Sequence, residues 1–197
     1  MHKDYEKRHL KGIEVRAVEG KPGVLAGYAA VFDSPSEDLG GFVEIVRKGA
    51  FAESLSSTEE IMALCCHDWD EPLARRSKGT LKLEEDEKGL RVEITLADTT
   101  RAKDLLADVN AGNVEGMSFG FRVKKEAWTA GKTPADPATR ELLSVELYEV
   151  SATTIPAYPD TTLAARSLDK LKAEQTPQPD PEVMKRINDA HLKLLSL

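Results

Sequence analysis

The chain has 197 residues, enough for one domain with a real core plus a tail, and too few for two ordinary domains. With 41% hydrophobic residues, 31% charged residues and a formal charge of −7, it has the composition of an acidic globular protein. No cluster of Lys and Arg indicates nucleic acid as a partner. Residues 1–12 have no apolar signal-peptide core, and no stretch approaches the roughly 18 apolar residues of a membrane-spanning helix, so we expect a cytoplasmic protein with no membrane partner.

The first half of the chain predicts short strands and one short helix. Strands are predicted in a hairpin over residues 11–32 across the turn EGKPG, at 42–46, at 61–69, and in a second hairpin formed by 79–86 and 90–96. Residues 49–55 predict a short helix that opens after Gly49. Strands therefore dominate this half.

The second half begins with the one longer helix, over residues 99–113, where Thr99 or Thr100 is the N-cap and Gly112 suits the left-handed position past the end. Strands are predicted at 117–123 and 142–155, and between them 126–140 is predicted to be an exposed loop. The GKT in this loop lacks the first glycine of a Walker phosphate loop, because Glu126 stands there.

Beyond the last strand, residues 156–181 drift into linker composition. A final helix is expected to start with Asp180 as its cap and Pro181 in its first turn, with an apolar stripe at Val183, Ile187, His191 and Leu194. We therefore predict a domain over 1–166, a Pro-rich linker over 167–181 and an amphipathic helix over 182–197. The fold class is mostly β or α+β, a barrel or sandwich.

Ser118 interrupts an apolar strand. If residues 117–123 are extended, Met117, Phe119, Phe121 and Val123 share one face, whereas Ser118 and Gly120 lie on the other. Because Gly120 adds no side chain, that face is open around the hydroxyl, which leaves room for a ligand or simply unfilled space.

His67 is the histidine most favourably placed for chemistry. His2, His9 and His191 lie in segments that are not expected to be core, whereas His67 ends an apolar strand and precedes Asp68. A partly buried histidine with a satisfied hydrogen bond is the simpler alternative, and the spacing of the nearby carboxylates does not match a zinc site, so no metal is expected.

The only two cysteines, Cys65 and Cys66, are predicted to be reduced thiols, because a bridge between neighbouring residues is strained. A Cys66 nucleophile is disfavoured, because successive residues of a strand point to opposite faces and His67 would be poorly placed to activate it. Both cysteines are predicted to fill the core.

A serine nucleophile needs a base, and the base needs a third group to orient it. Glu146 and Glu149 compete for that role. In an extended strand Glu149 points with Val145 and Leu147, and a carboxylate in apolar surroundings is costly to bury without a partner. Glu149 is therefore the better candidate, with a solvated glutamate on an edge strand as the alternative.

Five blocks in order give a family resemblance: GYAAVFD, VEIVRKGAF, CHDWDEPLAR, DTTRAKDLLADVNAGNVEGMSFGF and LYEVSATTIPAYPDT. Together they resemble the prohead (procapsid maturation) serine proteases of tailed bacteriophages. The resemblance implies a compact β-barrel edged by helices, similar to the herpesvirus capsid maturation proteases. It also implies a Ser-His endopeptidase with His67, Ser118 and, in LYEVS, Glu149 as its catalytic residues.

The resemblance further implies that the substrates are the scaffolding protein or the scaffold-like segment of the major capsid protein, and the protease itself, inside an assembling prohead in the host cytoplasm. No cofactor is expected, and a homo-oligomer, such as a dimer, is expected by analogy. Oxyanion donors are expected beside Ser118 and Gly120 or near Arg75. The family usually has glycine where this chain has Ala74, which puts a tight turn at that point in question.

Two other functions compete. One is a non-catalytic capsid-assembly scaffold or chaperone that retains the protease fold. The other is a generic serine esterase, which is disfavoured because no nucleophile elbow is expected around Ser118. The C-terminal helix is expected either to dock on scaffold or capsid protein or to pack on its own domain.

Overall fold

The computed structural model describes residues 5–9, 14–133 and 136–154, all within the first compact unit of the chain, Met1–Leu163. The elements in chain order are β1 (Glu6–His9), β2 (Val15–Ala17), β3 (Val24–Val31), β4 (Phe42–Val46), α1 (Ala52–Ser56), β5 (Met62–Cys65), β6 (Asp68–Arg75), β7 (Leu81–Glu85), β8 (Gly89–Thr95), α2 (Thr100–Ala111), β9 (Gly116–Thr129) and β10 (Ala138–Thr153). The predicted linker over 167–181 and helix over 182–197 lie outside the described residues.

The strands form two sheets. In the six-stranded sheet the order is β1, β9, β10, β5, β6, and β4 adds to β10 in parallel. The four-stranded sheet is antiparallel in the order β2, β3, β8, β7. The mostly-β prediction is confirmed, and among the described residues the ladders form two open sheets rather than one closed barrel.

Aromatic side chains fill the core beside β9. Phe119 meets the edge of the Phe51 ring at a centroid distance of 5.4 Å and lies 4.9 Å from Phe121. Met117, Phe119 and Phe121 are fully buried, as the alternation of the strand predicts. This face of β9 anchors the strand that carries Ser118.

The hairpins and the longer helix agree with the sequence prediction. β2 pairs with β3 and β7 with β8, as expected from the turns between them. Thr99, rather than Thr100, caps α2, because its hydroxyl accepts a hydrogen bond from the Ala102 N–H at 3.2 Å. Gly112 follows the helix with φ of 77°, a left-handed conformation that suits glycine.

The loop predicted over 126–140 is wrong at both ends. β9 continues to Thr129 and β10 begins at Ala138, so both flanks of the predicted loop are strand. Turn-forming residues cluster in the middle of the segment, whereas its flanks pack, with the Trp128 ring 5.2 Å from that of Phe42. The flanks extend the long β9–β10 hairpin.

The single strand predicted over 61–69 is also wrong, because the chain reverses at Cys66 and His67. Cys65 pairs with Asp68, which leaves these two residues as a two-residue hairpin turn between β5 and β6. Their φ values of 50° and 62° are left-handed, the conformation that such turns require. Neither residue is glycine, so the sequence carries no recognisable turn signal there.

β1 was not expected as a strand. The sequence does not predict a core segment before residue 10, yet Glu6 and Arg8 are buried and β1 pairs antiparallel with β9. The prediction fails because the sequence of β1, EKRH, has no apolar pattern at all. Its burial depends on charge pairing, which hydrophobic periodicity does not report.

No helix among the described residues is long and apolar enough to cross a membrane. In the same part of the chain, no group of three or more His, Cys, Asp or Glu side chains is arranged to hold a metal ion.

Candidate active site

Strand pairing brings the serine and the glutamate to one face of the six-stranded sheet. Ser118 in β9 lies opposite Ser151 in β10, and Gly120 lies opposite Glu149. Directly opposed residues of an antiparallel pair project from the same face. Ser118, Ser151 and Glu149 are therefore neighbours.

A β-bulge, and not simple alternation, places Glu149 there. Leu147 is opposite Phe121, but Glu149 is opposite Gly120, so Tyr148 is an extra residue in β10. The expectation that Glu149 shares a face with Val145 and Leu147 is therefore wrong. The bulge turns Glu149 away from the aromatic face and toward Ser118.

His67 and Glu149 form a short, buried hydrogen bond. His67 Nδ1 lies 2.6 Å from Glu149 Oε1, and the two side chains are 5% and 0% exposed. The Ser151 hydroxyl donates to Glu149 Oε2 at 2.6 Å and accepts from the His67 backbone N–H at 3.1 Å. Ser151 therefore ties the Cys66–His67 turn to the strand that carries the carboxylate.

Glu146, the alternative third member, has a different partner. Its carboxylate pairs with Arg122 at 2.5 Å, and both side chains are partly exposed. Of the two candidate carboxylates, the structure brings only Glu149 to His67.

The hydrogen bond to Glu149 determines which nitrogen of His67 carries the proton. A carboxylate accepts, so Nδ1 is the donor and the neutral ring keeps its lone pair on Nε2. His67 Nε2 is buried and has no hydrogen-bond partner among the described residues. A base in this state is ready to accept a proton.

Ser118 is fully buried, and its hydroxyl donates to the backbone carbonyl of Arg8 at 2.7 Å. No hydrogen bond in the described part of the chain joins this hydroxyl to His67. The expected open face is wrong, because Ser118 is fully buried and the Tyr5 hydroxyl fills the space at Gly120; β1 pairs beside this stretch, with His9 opposite Ser118 and Lys7 opposite Gly120.

The N-terminal segment also contributes ionisable side chains to the site. The Tyr5 hydroxyl donates to Glu149 Oε1 at 2.6 Å. Burial, together with the charge and hydrogen bond of Glu149, raises the pKa of Tyr5 well above its usual range. Burial lowers the pKa of His9, and a hydrogen bond with the Met117 backbone only partly opposes this effect. Both groups therefore stay neutral beside the His67–Glu149 pair.

Gly120 leaves space for the carboxylate. A Cβ atom at this position would lie 2.2 Å from Glu149 Oε1 and 2.2 Å from the Tyr5 hydroxyl. Any side chain here would displace one of the two groups. Gly120 thus has a steric role in addition to the oxyanion role expected from the sequence.

Arg75 lies farther from the serine. It pairs with Met62, which in turn pairs with Glu149, so Arg75 is two strands away from the carboxylate. Its backbone N–H donates to the Thr80 hydroxyl at 3.0 Å, and its guanidinium lies 3.7 Å from Glu60. Ala74 lies in β6 and pairs with Ala63 of β5, so the chain makes no tight turn there.

The cysteines are free thiols, as expected, but only partly fill the core. Cys65 is half-buried, whereas Cys66 is exposed in the turn, so the prediction that both are core residues is wrong for Cys66. Burial and the neighbouring Cys66 raise the pKa of Cys65 to about 11. A thiol with this pKa is a poor nucleophile at neutral pH.

The sequence around Ser118 also bears on the esterase alternative. Residues 116–120, GMSFG, do fit the pattern G-x-S-x-G, contrary to the expectation that no elbow pattern would be found. In esterases that pattern forms a sharp turn between a strand and a helix. Here Ser118 lies inside β9, so the structure, rather than the sequence pattern, disfavours an elbow.

A family model described as caudovirus prohead serine protease matches residues 11–174. The chain belongs to this family. The resemblance seen in the five sequence blocks is thereby confirmed, and β1 lies before the matched stretch.

Two curated relatives of this prohead protease family member were found. The prohead protease of Enterobacteria phage HK97 is 34% identical over 159 residues, which are 78% of this chain and 65% of that protein. The capsid polyprotein of Pseudomonas phage PAJU2 is 28% identical over 172 residues, 83% of this chain and 23% of that protein. The chain therefore spans less than two thirds of either relative.

Among solved structures, the capsid assembly protease gp21 of bacteriophage T4 is similar with a TM-score of 0.49 and 13% identity. The similarity covers 76% of this chain and 95% of that one.

Proposed function

We propose that the chain is a serine endopeptidase of prohead maturation, with Ser118 as nucleophile, His67 as general base and Glu149 as the group that orients His67. The observation that carries the proposal is the buried hydrogen bond of 2.6 Å between His67 Nδ1 and Glu149 Oε1, on the face of the sheet that also holds Ser118. Membership in a serine protease family supports the same assignment.

In the proposed mechanism, Ser118 Oγ forms a bond to the carbonyl carbon of the scissile peptide while His67 Nε2 takes the hydroxyl proton. The C–N bond then breaks, and His67 gives that proton to the leaving amine. A water molecule repeats the sequence on the acyl ester and releases the acid. Glu149 holds the imidazole in the reactive tautomer and stabilises its charged form throughout.

The developing oxyanion needs hydrogen-bond donors. The Arg75 N–H is already bonded to Thr80, which favours the other predicted source, backbone N–H groups beside Ser118. The N–H groups of β9 that pair with β1 become available when β1 leaves. We assign the oxyanion donors to this stretch, next to Ser118 and Gly120.

The proposal includes cleavage of the chain itself. The Arg8 carbonyl accepts a hydrogen bond from the Ser118 hydroxyl at 2.7 Å, so a peptide group of the same chain already lies at the nucleophile. β1 holds the position that an incoming substrate strand needs, in antiparallel pairing with β9. Its departure is the step that opens the site.

The other proposed substrates are the scaffolding protein or the scaffold-like segment of the major capsid protein, cleaved inside the assembling prohead in the host cytoplasm. The names of the two relatives, a prohead protease and a capsid polyprotein, support a capsid-associated role. We further propose a homo-oligomer, such as a dimer. The helix over 182–197 is proposed to dock on scaffold or capsid protein, so a chain that ends at Arg166 should cleave in vitro but fail to be packaged.

The second candidate function is a non-catalytic assembly scaffold that retains the protease fold. The observation that favours it is the buried Ser118 hydroxyl, which is bonded to Arg8 instead of His67. The two functions differ in whether Ser118 is needed for more than packing.

Co-expression with the capsid precursor separates the two functions. The protein as it exists should process the precursor in assembled proheads, whereas Ser118→Ala should assemble the same particles with the precursor whole. Equal processing by both proteins would refute the nucleophile assignment. Whole precursor with both proteins would favour the scaffold.

A further inference from the structure

A cluster of buried charges fastens β1 to the rest of the domain. Its members are Glu6 and Arg8 from β1, Glu44 from β4, Arg140 from β10 and Glu126 from β9. The first four are at most 3% exposed. Burial of so many charges requires that each one be paired, because an unpaired buried charge is strongly destabilising.

Both oxygens of the Glu44 carboxylate bind the Arg8 guanidinium. Its Nε lies 2.7 Å from Glu44 Oε1 and its Nη2 lies 3.1 Å from Glu44 Oε2, a bidentate pair. Its Nη1 donates to the Lys7 carbonyl at 2.8 Å, and the guanidinium lies 5.6 Å from the centre of the Phe121 ring. These contacts fit a planar, delocalised cation.

Glu6 is bound by Arg140 in the same manner. Its two carboxylate oxygens accept hydrogen bonds from Arg140 Nη1 at 2.8 Å and from Nη2 at 3.0 Å. Arg140 Nη1 also lies 3.0 Å from Glu44 Oε2, and its Nε donates to Glu126 Oε2 at 2.7 Å. The pairing with Arg8 and Arg140 lowers the pKa of Glu6 in spite of its burial.

When β1 leaves, Glu6 and Arg8 leave with it. Glu44 then loses its bidentate cation, and Arg140 loses its bidentate anion. Both side chains border the channel beside β9 where β1 had been. In the vacated channel, the Glu44 carboxylate faces the place that the Arg8 side chain occupied. The Arg140 guanidinium faces the place that the Glu6 side chain occupied.

We propose that Glu44 and Arg140 determine the substrate specificity of the site. The channel beside β9 binds extended peptides that have an acidic residue two positions before a basic one. Cleavage occurs after the basic residue, because its carbonyl takes the place of the Arg8 carbonyl. Glu6 and Arg8 are two residues apart and so project from the same face of the strand, as the two pockets require. This inference rests on the proposed protease activity of Ser118.

A peptide that lacks its basic residue leaves Glu44 with a single contact to Arg140, and one that lacks its acidic residue leaves Arg140 without a bidentate anion. Loss of one bidentate pairing in a buried site should lower kcat/KM by at least about 10-fold. Reversal of the two charges places like charges together and should lower it further. The channel therefore selects for the order of the two charges as well as for their presence.

The experiment uses the full-length chain and two synthetic peptides. One has the sequence of residues 3–13, KDYEKRHLKGI, and the other, KDYRKEHLKGI, has the same composition with Glu and Arg exchanged. Mass spectrometry should show Ser118-dependent cleavage after Arg in the first peptide and at least about 10-fold slower cleavage of the second. Equal rates for the two peptides would overturn the proposal.

The protein side is tested with Glu44→Gln, against Glu141→Gln as a matched control. Glu141 lies next to Arg140 in β10 but pairs with Arg47 instead of the cluster. Glu44→Gln should reduce the ratio of the two peptide rates toward one, whereas Glu141→Gln should retain it. A cluster that only fastens β1 would change stability in Glu44→Gln but leave the ratio unchanged. If Glu44→Gln does not fold, the two peptides with the natural chain decide the matter.

The outcomes separate this inference from the proposed function. Ser118-dependent cleavage of the capsid precursor, with no preference between the two peptides, refutes the specificity and leaves the protease in place. Absence of Ser118-dependent cleavage in both the precursor and the peptides refutes the protease, and the specificity with it.

Discussion

Glu149 shows how a single residue is prepared for its role. Its carboxylate accepts hydrogen bonds of 2.6 Å from His67, Tyr5 and Ser151, so a fully buried charge is satisfied on both oxygens. The structure brings this residue to His67, although the sequence argument about strand faces that selected it is wrong. A bulge at Tyr148 leaves no mark in the sequence, so alternation alone could not give its direction.

The role of Glu149 predicts a large loss of rate in Glu149→Gln. The amide cannot hold His67 in the reactive tautomer or stabilise its charged form, so kcat should fall by about 10³- to 10⁴-fold. Glu146→Gln is the matched control, because Glu146 pairs with Arg122 on the partly exposed part of the same strand. Cleavage rates measured on one peptide decide between them, and a larger loss in Glu146→Gln would reverse the assignment.

The backbone conformation of Cys66 affects the stability of the domain. It has φ of 50° in the turn that presents His67, a conformation that costs most side chains about 1 to 2 kcal/mol but that asparagine tolerates. Cys66→Asn should raise the free energy of unfolding by up to about 1 kcal/mol, and Cys66→Val should lower it. Denaturant unfolding of both variants in a Ser118→Ala background measures this. A higher stability for the Val variant would contradict the turn.

At the scale of elements, local signals predicted some parts of the fold and long-range pairing decided the rest. α2 has a cap, a periodic apolar face and a glycine past its end, and the two hairpins have Gly-containing turns, so these elements are visible in the sequence. β1 is not, because its partners Glu44 and Arg140 lie far away in the chain. Burial of a charged strand follows from the tertiary structure and has no local pattern.

β1 should be held less firmly as the pH falls. When β1 is paired with β9, burial lowers the pKa of His9, so the docked segment favours the neutral imidazole. Above the ordinary value of 6.5, His9 is neutral in both states and docking is unaffected. As the pH falls below 6.5, the released segment takes up a proton that docked His9 does not, so docking weakens. The loss of the Glu6 carboxylate, whose pKa is lowered from 4.5, acts only at lower pH.

Hydrogen exchange of residues 5–9 in Ser118→Ala measures this effect. Protection, corrected for intrinsic exchange, should fall between about pH 7.5 and about pH 5.5. The control is Ser118→Ala combined with His9→Gln, in which most of that fall should disappear. Protection that is the same at both pH values in Ser118→Ala would contradict the role of His9.

At the scale of the whole molecule, the six-stranded sheet positions a histidine from a turn, a serine from one strand and a glutamate from the next. The three residues were named from the sequence because their chemical types and the family blocks agree. Their arrangement could not be predicted from the sequence, because it depends on the turn at Cys66, the bulge at Tyr148 and the pairing of β1 beside Ser118. The structure therefore adds a state in which His67 is hydrogen-bonded to Glu149 while the Ser118 hydroxyl is hydrogen-bonded to the Arg8 carbonyl of its own chain.

The central claim is that Ser118 cleaves peptide bonds once β1 gives way. Its most direct test is an intact-mass time course of the purified protein and of Ser118→Ala, each incubated alone and with the capsid precursor. We predict fragments of the chain or the precursor that form only with Ser118, including loss of the segment that ends at Arg8. If both proteins give the same masses and the precursor stays whole, Ser118 is a structural residue of β9 and the protease assignment is wrong.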